Sequence, residues 1–245
     1  MYYGLFKHVL LGPGLKVYYH PTVEGAQHIP ATGGAILASN HLSFSDSIFL
    51  PLVIARKVVF LGKSEYFTGK GIKGAATRAF MEGVGTIPVH RGGGRASEAA
   101  LRTGLQVLGN GDLLGIYPEG TRSVDGRLYR GKTGAARLAI EAGVPIIPVA
   151  MVGTDVAQPV GKRVPSRVDI GVRIGAPIDP APYAGREDQR EALRELTDAV
   201  MHAIQELSGQ EYVDRDSAQY KRELAKEQAA KGEATADAPP GDTAS

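Results

Sequence analysis

Short apolar runs alternate with helix-length segments along most of this chain, and few folds accept that pattern. Strand-like runs rich in Val, Ile and Leu occupy residues 35–38, 58–61, 86–89, 113–117, 146–152 and 168–174. Between most of them lie helix-length segments, at 45–54, 71–81, 95–108 and 132–142. A strand, a helical return and a second strand leave the two strands pointing the same way. The pattern therefore predicts an α/β fold with a mostly parallel central sheet flanked by helices. A later segment, 186–207, sets Leu193, Leu196, Val200, Ile204 and Leu207 three or four apart, a helix with one face packed on the domain. In such sheets ligands collect at the carboxyl ends of strands, so polar residues just past a strand are where chemistry is sought.

Both ends of the chain depart from the alternation. The first eleven residues are apolar but broken by Lys7 and His8, and Gly12-Pro-Gly14 follows. That run is too short to span a bilayer and lacks the basic start and small-residue cleavage site of a secretory signal. Tyr2, Tyr3, Leu5, Phe6, Val9 and Leu10, beside Lys7, His8 and Lys16, suit a short amphipathic helix in a membrane interface, or one docked on the protein's own core. After Asp214 the chain is charged and then rich in Ala, Pro, Gly, Asp and Thr, which predicts a charged helix and, from about Lys231, an unstructured tail. The expected division is residues 1–20 as an interface helix, 21–213 as the folded domain and 214–245 as the C-terminal extension.

Composition narrows the chemistry. Without cysteine there is no disulfide, no thiolate nucleophile and no Cys-ligated zinc. A net charge of +2 is too small to imply nucleic-acid binding, yet residues 56–95 carry +6. That stretch could meet anionic lipid or phosphate, or be a solvated surface balanced by acids elsewhere.

Two polar turns follow strands. The first is Asn40-His-Leu-Ser-Phe-Ser-Asp46, in which His41 lies just past residues 35–38 and Asp46 lies at the start of a helix pattern. Helix N-terminal N–H groups favour a carboxylate there, and the turn could fold it back onto His41. A carboxylate on one ring nitrogen fixes the tautomer and leaves the other nitrogen as a base for an alcohol proton. By itself the segment fits a helix N-cap and an ordinary loop histidine better than it fits a catalytic pair. The second turn is Pro118-Glu-Gly-Thr-Arg122, after residues 113–117. Arg122 offers a planar fork suited to phosphate, Glu119 can accept from a hydroxyl and Gly120 allows backbone to approach a ligand; a plain surface turn fits too. Arg91, directly after residues 86–89, is a second candidate phosphate ligand. Two prolines in Val144-Pro-Ile-Ile-Pro148 suggest an edge or irregular strand. The segment Gly126-Arg-Leu-Tyr-Arg-Gly-Lys-Thr133 satisfies the phosphate-loop spacing, but no strand runs directly into its first glycine, which argues against nucleotide hydrolysis.

Taken together and in this order, these segments resemble the glycerolipid acyltransferase family, which includes the 1-acylglycerol-3-phosphate acyltransferases. His41 and Asp46 fall on an N-H-x-S-x-x-D block, 85–91 on G-x-I-P-V-x-R, 118–122 on P-E-G-T-R and 144–148 on V-P-x-x-P. Tyr117 stands where that family more often has Phe. Residues 62–71 resemble its G-K-x-E-L-F stretch with a proline missing and altered spacing. The Gly131-Lys-Thr-Gly-Ala-Ala136 segment is similar to the family's entry into the helix after P-E-G-T-R.

The resemblance implies a membrane-associated enzyme on the cytoplasmic face, with no metal and no cofactor. Its donor would be an acyl thioester of coenzyme A or acyl carrier protein, and its acceptor a lysophospholipid, lysophosphatidic acid first. His41 would be the base and Asp46 its orienting acid. Arg122, with Arg91, would hold the phosphate; Glu119 and Thr121 would shape the glycerol site, and backbone near Gly120 could meet the oxyanion. The same chemistry on glycerol 3-phosphate or another lysophospholipid, and a non-catalytic lipid-binding module, are the alternatives.

Overall fold

The computed structural model describes residues 2–10, 12–90, 93–159, 162 and 165–236. In chain order its elements are α1 (Tyr2–Leu5), a π-helical turn (Phe6–Leu10), α2 (Gly12–Tyr19), β1 (Thr22–Glu24), β2 (Ala35–Ser39), α3 (Asp46–Val53) and β3 (Val58–Lys63). Then come α4 (Gly71–Gly83), β4 (Thr86–Val89), α5 (Gly93–Gly109), β5 (Leu113–Ile116), β6 (Leu128–Tyr129), α6 (Gly134–Ala142) and β7 (Ile146–Val152). The chain closes with α7 (Thr154–Ala157), β8 (Gly171–Ile174), α8 (Arg190–Ser208), β9 (Tyr212–Val213) and α9 (Ser217–Ala236).

Seven strands form one sheet in the order β1-β8-β7-β2-β5-β3-β4. Strands β7, β2, β5, β3 and β4 are parallel, and only β8, with β1 beside it, runs the other way. The mostly parallel sheet expected from the alternation is therefore present. Both faces are covered, which explains why β2 is buried at every position instead of alternating. One face packs against Tyr19, Phe49, Leu50 and Leu52 of the N-terminal helices and α3. The other packs against α5, α6 and α8 through Leu101, Leu138, Leu196, Val200 and Ile204. Each fully buried side chain of this size contributes about 1.5–3 kcal/mol relative to exposure.

The two prolines suggested an edge or irregular strand at 144–148. Instead β7 is an interior strand, hydrogen-bonded to β2 on one side and β8 on the other. The carbonyl of Pro148 accepts the Gly175 N–H at 2.8 Å on the β8 side, and the antiparallel ladder ends there at the Val149–Ile174 pair. Pairing resumes at the Ile146–Ile178 bridge with the register shifted by one residue, so the donor that proline lacks would point at this bulge and no regular ladder bond is lost.

The N-terminal helices do dock on the domain. Tyr19 joins the core, the Val58 N–H donates to the Tyr3 hydroxyl at 3.3 Å, and the Lys7 ammonium donates to the carbonyls of Ile54 and Ala55 after α3. Burial pushes Lys7 down to about 8, with Lys16 adding to the effect. Their other face leaves Leu5, Val9, Val17 and Tyr18 exposed. No helix among the described residues is long and apolar enough to cross a membrane. At the other end α9 runs to Ala236, so the tail expected from about Lys231 falls partly on this helix and partly on residues 237–245, outside the described residues.

Candidate active site

Strands β2 and β5 are neighbours, so the turns leaving their carboxyl ends lie side by side. In the first turn, the Asp46 carboxylate is 0% exposed and its Oδ2 gathers three donors: the Leu42 and Ser43 N–H groups at 2.8 Å each and His41 Nδ1 at 2.9 Å. A carboxylate oxygen only accepts, so Nδ1 carries the hydrogen and Nε2 has its lone pair directed away from Asp46. The chain folds this way because Asp46 opens α3 and its side chain turns back over the preceding loop, where the Leu42 and Ser43 N–H groups close on its carboxylate.

The His41 ring is held on a second side. It stacks on Tyr117 with centroids 3.8 Å apart and planes 9° from parallel, and Tyr117 stacks in turn on Phe60 at 5.6 Å. Gly115 makes room for this column, because a Cβ there would sit 2.3 Å from the Phe60 ring. The Tyr117 hydroxyl shares a 2.8 Å hydrogen bond with Ser47 on α3, and burial, with Asp46 nearby, pushes its ionisation well up, so it acts as a neutral phenol. The imidazole is thus fixed in plane by Asp46 and in height by Tyr117. Sequence reasoning noted Tyr117 only as a departure from the family's more usual Phe and gave it no role in the site, although its place directly before Pro118 was a signal.

The second turn is pinned to the first. The Ser123 N–H donates to the His41 carbonyl at 2.8 Å, and Glu119 accepts the His41 N–H at 3.2 Å and the Tyr129 N–H at 2.9 Å. Glu119 is 1% exposed, so both oxygens face backbone amides, whereas a carboxylate accepting from substrate would face the cleft. Burial pushes it up to about 7 against the lowering of those two bonds, with Asp46 and Asp125 adding to the rise.

Gly120 adopts φ 74°, which a side chain would strain, and Lys132 fills the space where a Cβ would go, its Nζ 3.2 Å away. The Gly120 N–H donates to the Tyr117 carbonyl, while neither Thr121 nor Arg122 donates its N–H to a backbone group among the described residues. Arg122 is partly exposed and has no ion pair among the described residues. Arg91 lies outside the described residues, although the strand that leads to it, β4, forms with the expected bounds.

A network that no motif announced holds the first turn from below. The Asn40 amide accepts the Met151 N–H at 2.7 Å, and donates to the Met151 carbonyl at 3.0 Å and to Gln210 Oε1 at 2.7 Å. Gln210 in turn donates to the Gly126 carbonyl. The lookalike does not fold as a phosphate loop, since its Leu128 and Tyr129 form β6, buried and paired with β9.

The arrangement can take a proton from an alcohol, and Arg122, without an ion pair among the described residues, is the chain neighbour of the Ser123 that binds the His41 carbonyl. A family model described as Acyltransferase matches residues 20–152, which contain both turns and more than half of the chain. The chain belongs to the acyltransferase family.

A 1-acyl-sn-glycerol-3-phosphate acyltransferase of Bacillus subtilis is 28% identical over 79% of this chain and 88% of its own. The chloroplastic 1-acyl-sn-glycerol-3-phosphate acyltransferase BAT2 of Brassica napus is 31% identical over 66% of this chain, and this acyltransferase spans about half of that longer protein, 46%. The crystal structure of the 1-acyl-sn-glycerophosphate acyltransferase PlsC from Thermotoga maritima superposes with a TM-score of 0.62 at 28% identity, covering 80% of this acyltransferase and 76% of that chain.

Proposed function

We propose that this acyltransferase moves a fatty acyl group from an acyl thioester to the free hydroxyl of 1-acylglycerol 3-phosphate, giving phosphatidic acid. The observation that carries the reading is the imidazole of His41, held by Asp46 at 2.9 Å and by the Tyr117 ring at 3.8 Å, with Nε2 open to a substrate. His41 Nε2 takes the hydroxyl proton as the oxygen attacks the thioester carbonyl. Asp46 keeps the ring oriented and stabilises the imidazolium. The tetrahedral intermediate collapses, the carbon–sulfur bond breaks, and the thiolate takes the proton from His41. No acyl-enzyme is needed. The Thr121 and Arg122 N–H groups are the donors left for the oxyanion, and the Arg122 guanidinium binds the acceptor phosphate with Arg91 as its partner. Glu119 acts as a positioning residue, fixing the second turn against the first.

Leu5, Val9, Val17 and Tyr18, exposed on the N-terminal helices, support seating on a membrane surface from which the lysolipid is drawn, and the reading puts that surface on the cytoplasmic face. The deciding measurement is thioester consumption over a panel of acyl donors and lysolipid acceptors. Lysophosphatidic acid should be the preferred acceptor, and Arg122→Ala should raise its KM about ten- to a hundredfold with the donor KM little changed. A loss confined to the donor would remove Arg122 from the phosphate site, and the absence of turnover with every pair would overturn the function.

A further inference from the structure

The end of the phosphate-loop lookalike, Arg130 to Thr133, lines a cavity of about 370 Å³ together with Arg190, Arg194 and Asp216. Four cationic side chains there face one carboxylate. Their existing partners leave positive charge to spare. Arg130 meets Asp214 at 3.4 Å and Lys132 meets Asp216 only at 3.9 Å, both near the surface. Arg194 reaches the Gly131 carbonyl at 2.8 Å and Asp198, but its Nε is buried with no hydrogen-bond partner. Arg190, exposed at the start of α8, has no ion pair among the described residues. Helix α6 begins at this wall, and its N-cap Thr133 supplies no side-chain cap, so first-turn N–H groups remain for an anion.

Position selects among anions. The cavity lies on the sheet face that carries α6 and α8, whereas exposed Leu5, Val9 and Val17 sit on helices packed against the opposite face. An anion arriving here comes from water and not from the lipid surface. The cavity also abuts the reaction centre: the Lys132 N–H donates to the Pro118 carbonyl at 2.8 Å and its side chain rests on Gly120, next to the Glu119 that binds the His41 N–H. We propose that this cavity seats the phosphates of a coenzyme A donor. The nucleotide end of that donor carries a diphosphate and a 3′-phosphate, and its flexible pantetheine arm can pass the Pro118–Arg122 turn to bring the thioester to His41. The proposal rests on the acyl-transfer reading above.

The test compares an acyl-coenzyme A with the matching S-acyl pantetheine, which has no phosphate, at saturating lysophosphatidic acid. The full chain should show a KM about tenfold or more lower for the coenzyme A donor. Arg190→Gln should shrink that gap to about twofold, and Arg190→Lys, which restores a point charge, should recover part of it. Equal KM values in the unaltered protein, a gap untouched by Arg190→Gln, or turnover from acyl carrier protein alone would each overturn the proposal. Calorimetry with adenosine 3′,5′-bisphosphate separates the two readings. Binding that weakens about tenfold in Arg190→Gln and survives equimolar inorganic phosphate supports the cavity assignment even if no acceptor is acylated. Acyl transfer without such binding leaves the enzyme reading standing and sinks the cavity.

Discussion

The two turns that meet at the candidate active site are held in opposite ways. The turn from Asn40 to Asp46 is largely closed by its own residues, since one oxygen of Asp46 binds three donors within five residues. The turn from Tyr117 to Ser123 is held from a distance. Its Pro118 carbonyl is met by Lys132, its Glu119 by Tyr129, and its far end by Asp125, Arg127 and Tyr129, which Tyr220 of α9 covers at 5.3 Å. The locally closed turn fixes the plane of its base, while Tyr117 of the other turn sets the height of the ring. A turn assembled from remote segments responds to all of them, which suits a site that must bind substrates as well as react.

The largest effects should come from the local turn. His41→Ala is expected to lower kcat by about 10³-fold or more, and to lower the melting temperature as well, because the ring is only 16% exposed, stacks on Tyr117 and donates to buried Asp46. Asp46→Asn should cost on the order of 10²–10⁴-fold in kcat, since the amide can still accept from Nδ1 but no longer stabilises an imidazolium. It should also lower stability, because the new amide group is buried at the position of Oδ1, which has no partner among the described residues. Near-normal turnover in either variant would remove the base from this turn.

The remote turn should break through stability and pH. The folded value of Glu119, about 7, lies above the ordinary 4.5, so between these two pH values the folded protein keeps a proton that the unfolded chain has lost. Stability from this group therefore falls by about 3 kcal/mol as pH rises from 4.5 to 7 and is level above that. Glu119→Gln should flatten this slope and leave one buried N–H, of His41 or Tyr129, facing an amide nitrogen, at a cost of about 1–3 kcal/mol above pH 7. Urea titrations of both proteins across pH 4.5–8 measure it, and parallel curves would assign the titration to other groups.

The same contrast explains what could be read from the chain alone. Alternating runs gave the sheet and most helices because a doubly covered parallel sheet writes continuous apolar strands into the sequence. His41 and Asp46 were legible because their contact spans five residues. Glu119 was legible as a motif but not in its role, because its partners, His41 and Tyr129, lie 78 and 10 residues away and only the fold brings their amides to its two oxygens. Gln210 left no trace for a related reason: a glutamine after a helix-ending glycine is an ordinary surface residue until its carbonyl meets Asn40, 170 residues away. The short pair β6 and β9 was missed because two-residue strands carry no periodicity.

The smallest effect should separate the two supports of the His41 ring. Tyr117→Phe keeps the aromatic face that lies 3.8 Å from the imidazole and removes only the hydroxyl bonded to Ser47. One neutral hydrogen bond is worth about 1 kcal/mol, and Ser47 is partly exposed and can turn to water, so the stability loss should stay near that figure and kcat within about twofold. Tyr117→Leu removes the flat face and some of the bulk, so a loss of kcat beyond that of Tyr117→Phe would show that the aromatic ring, and not its hydroxyl, sets the height of the imidazole. If the phenylalanine variant loses as much activity as the leucine variant, the hydroxyl anchoring α3 to the column is the support that matters.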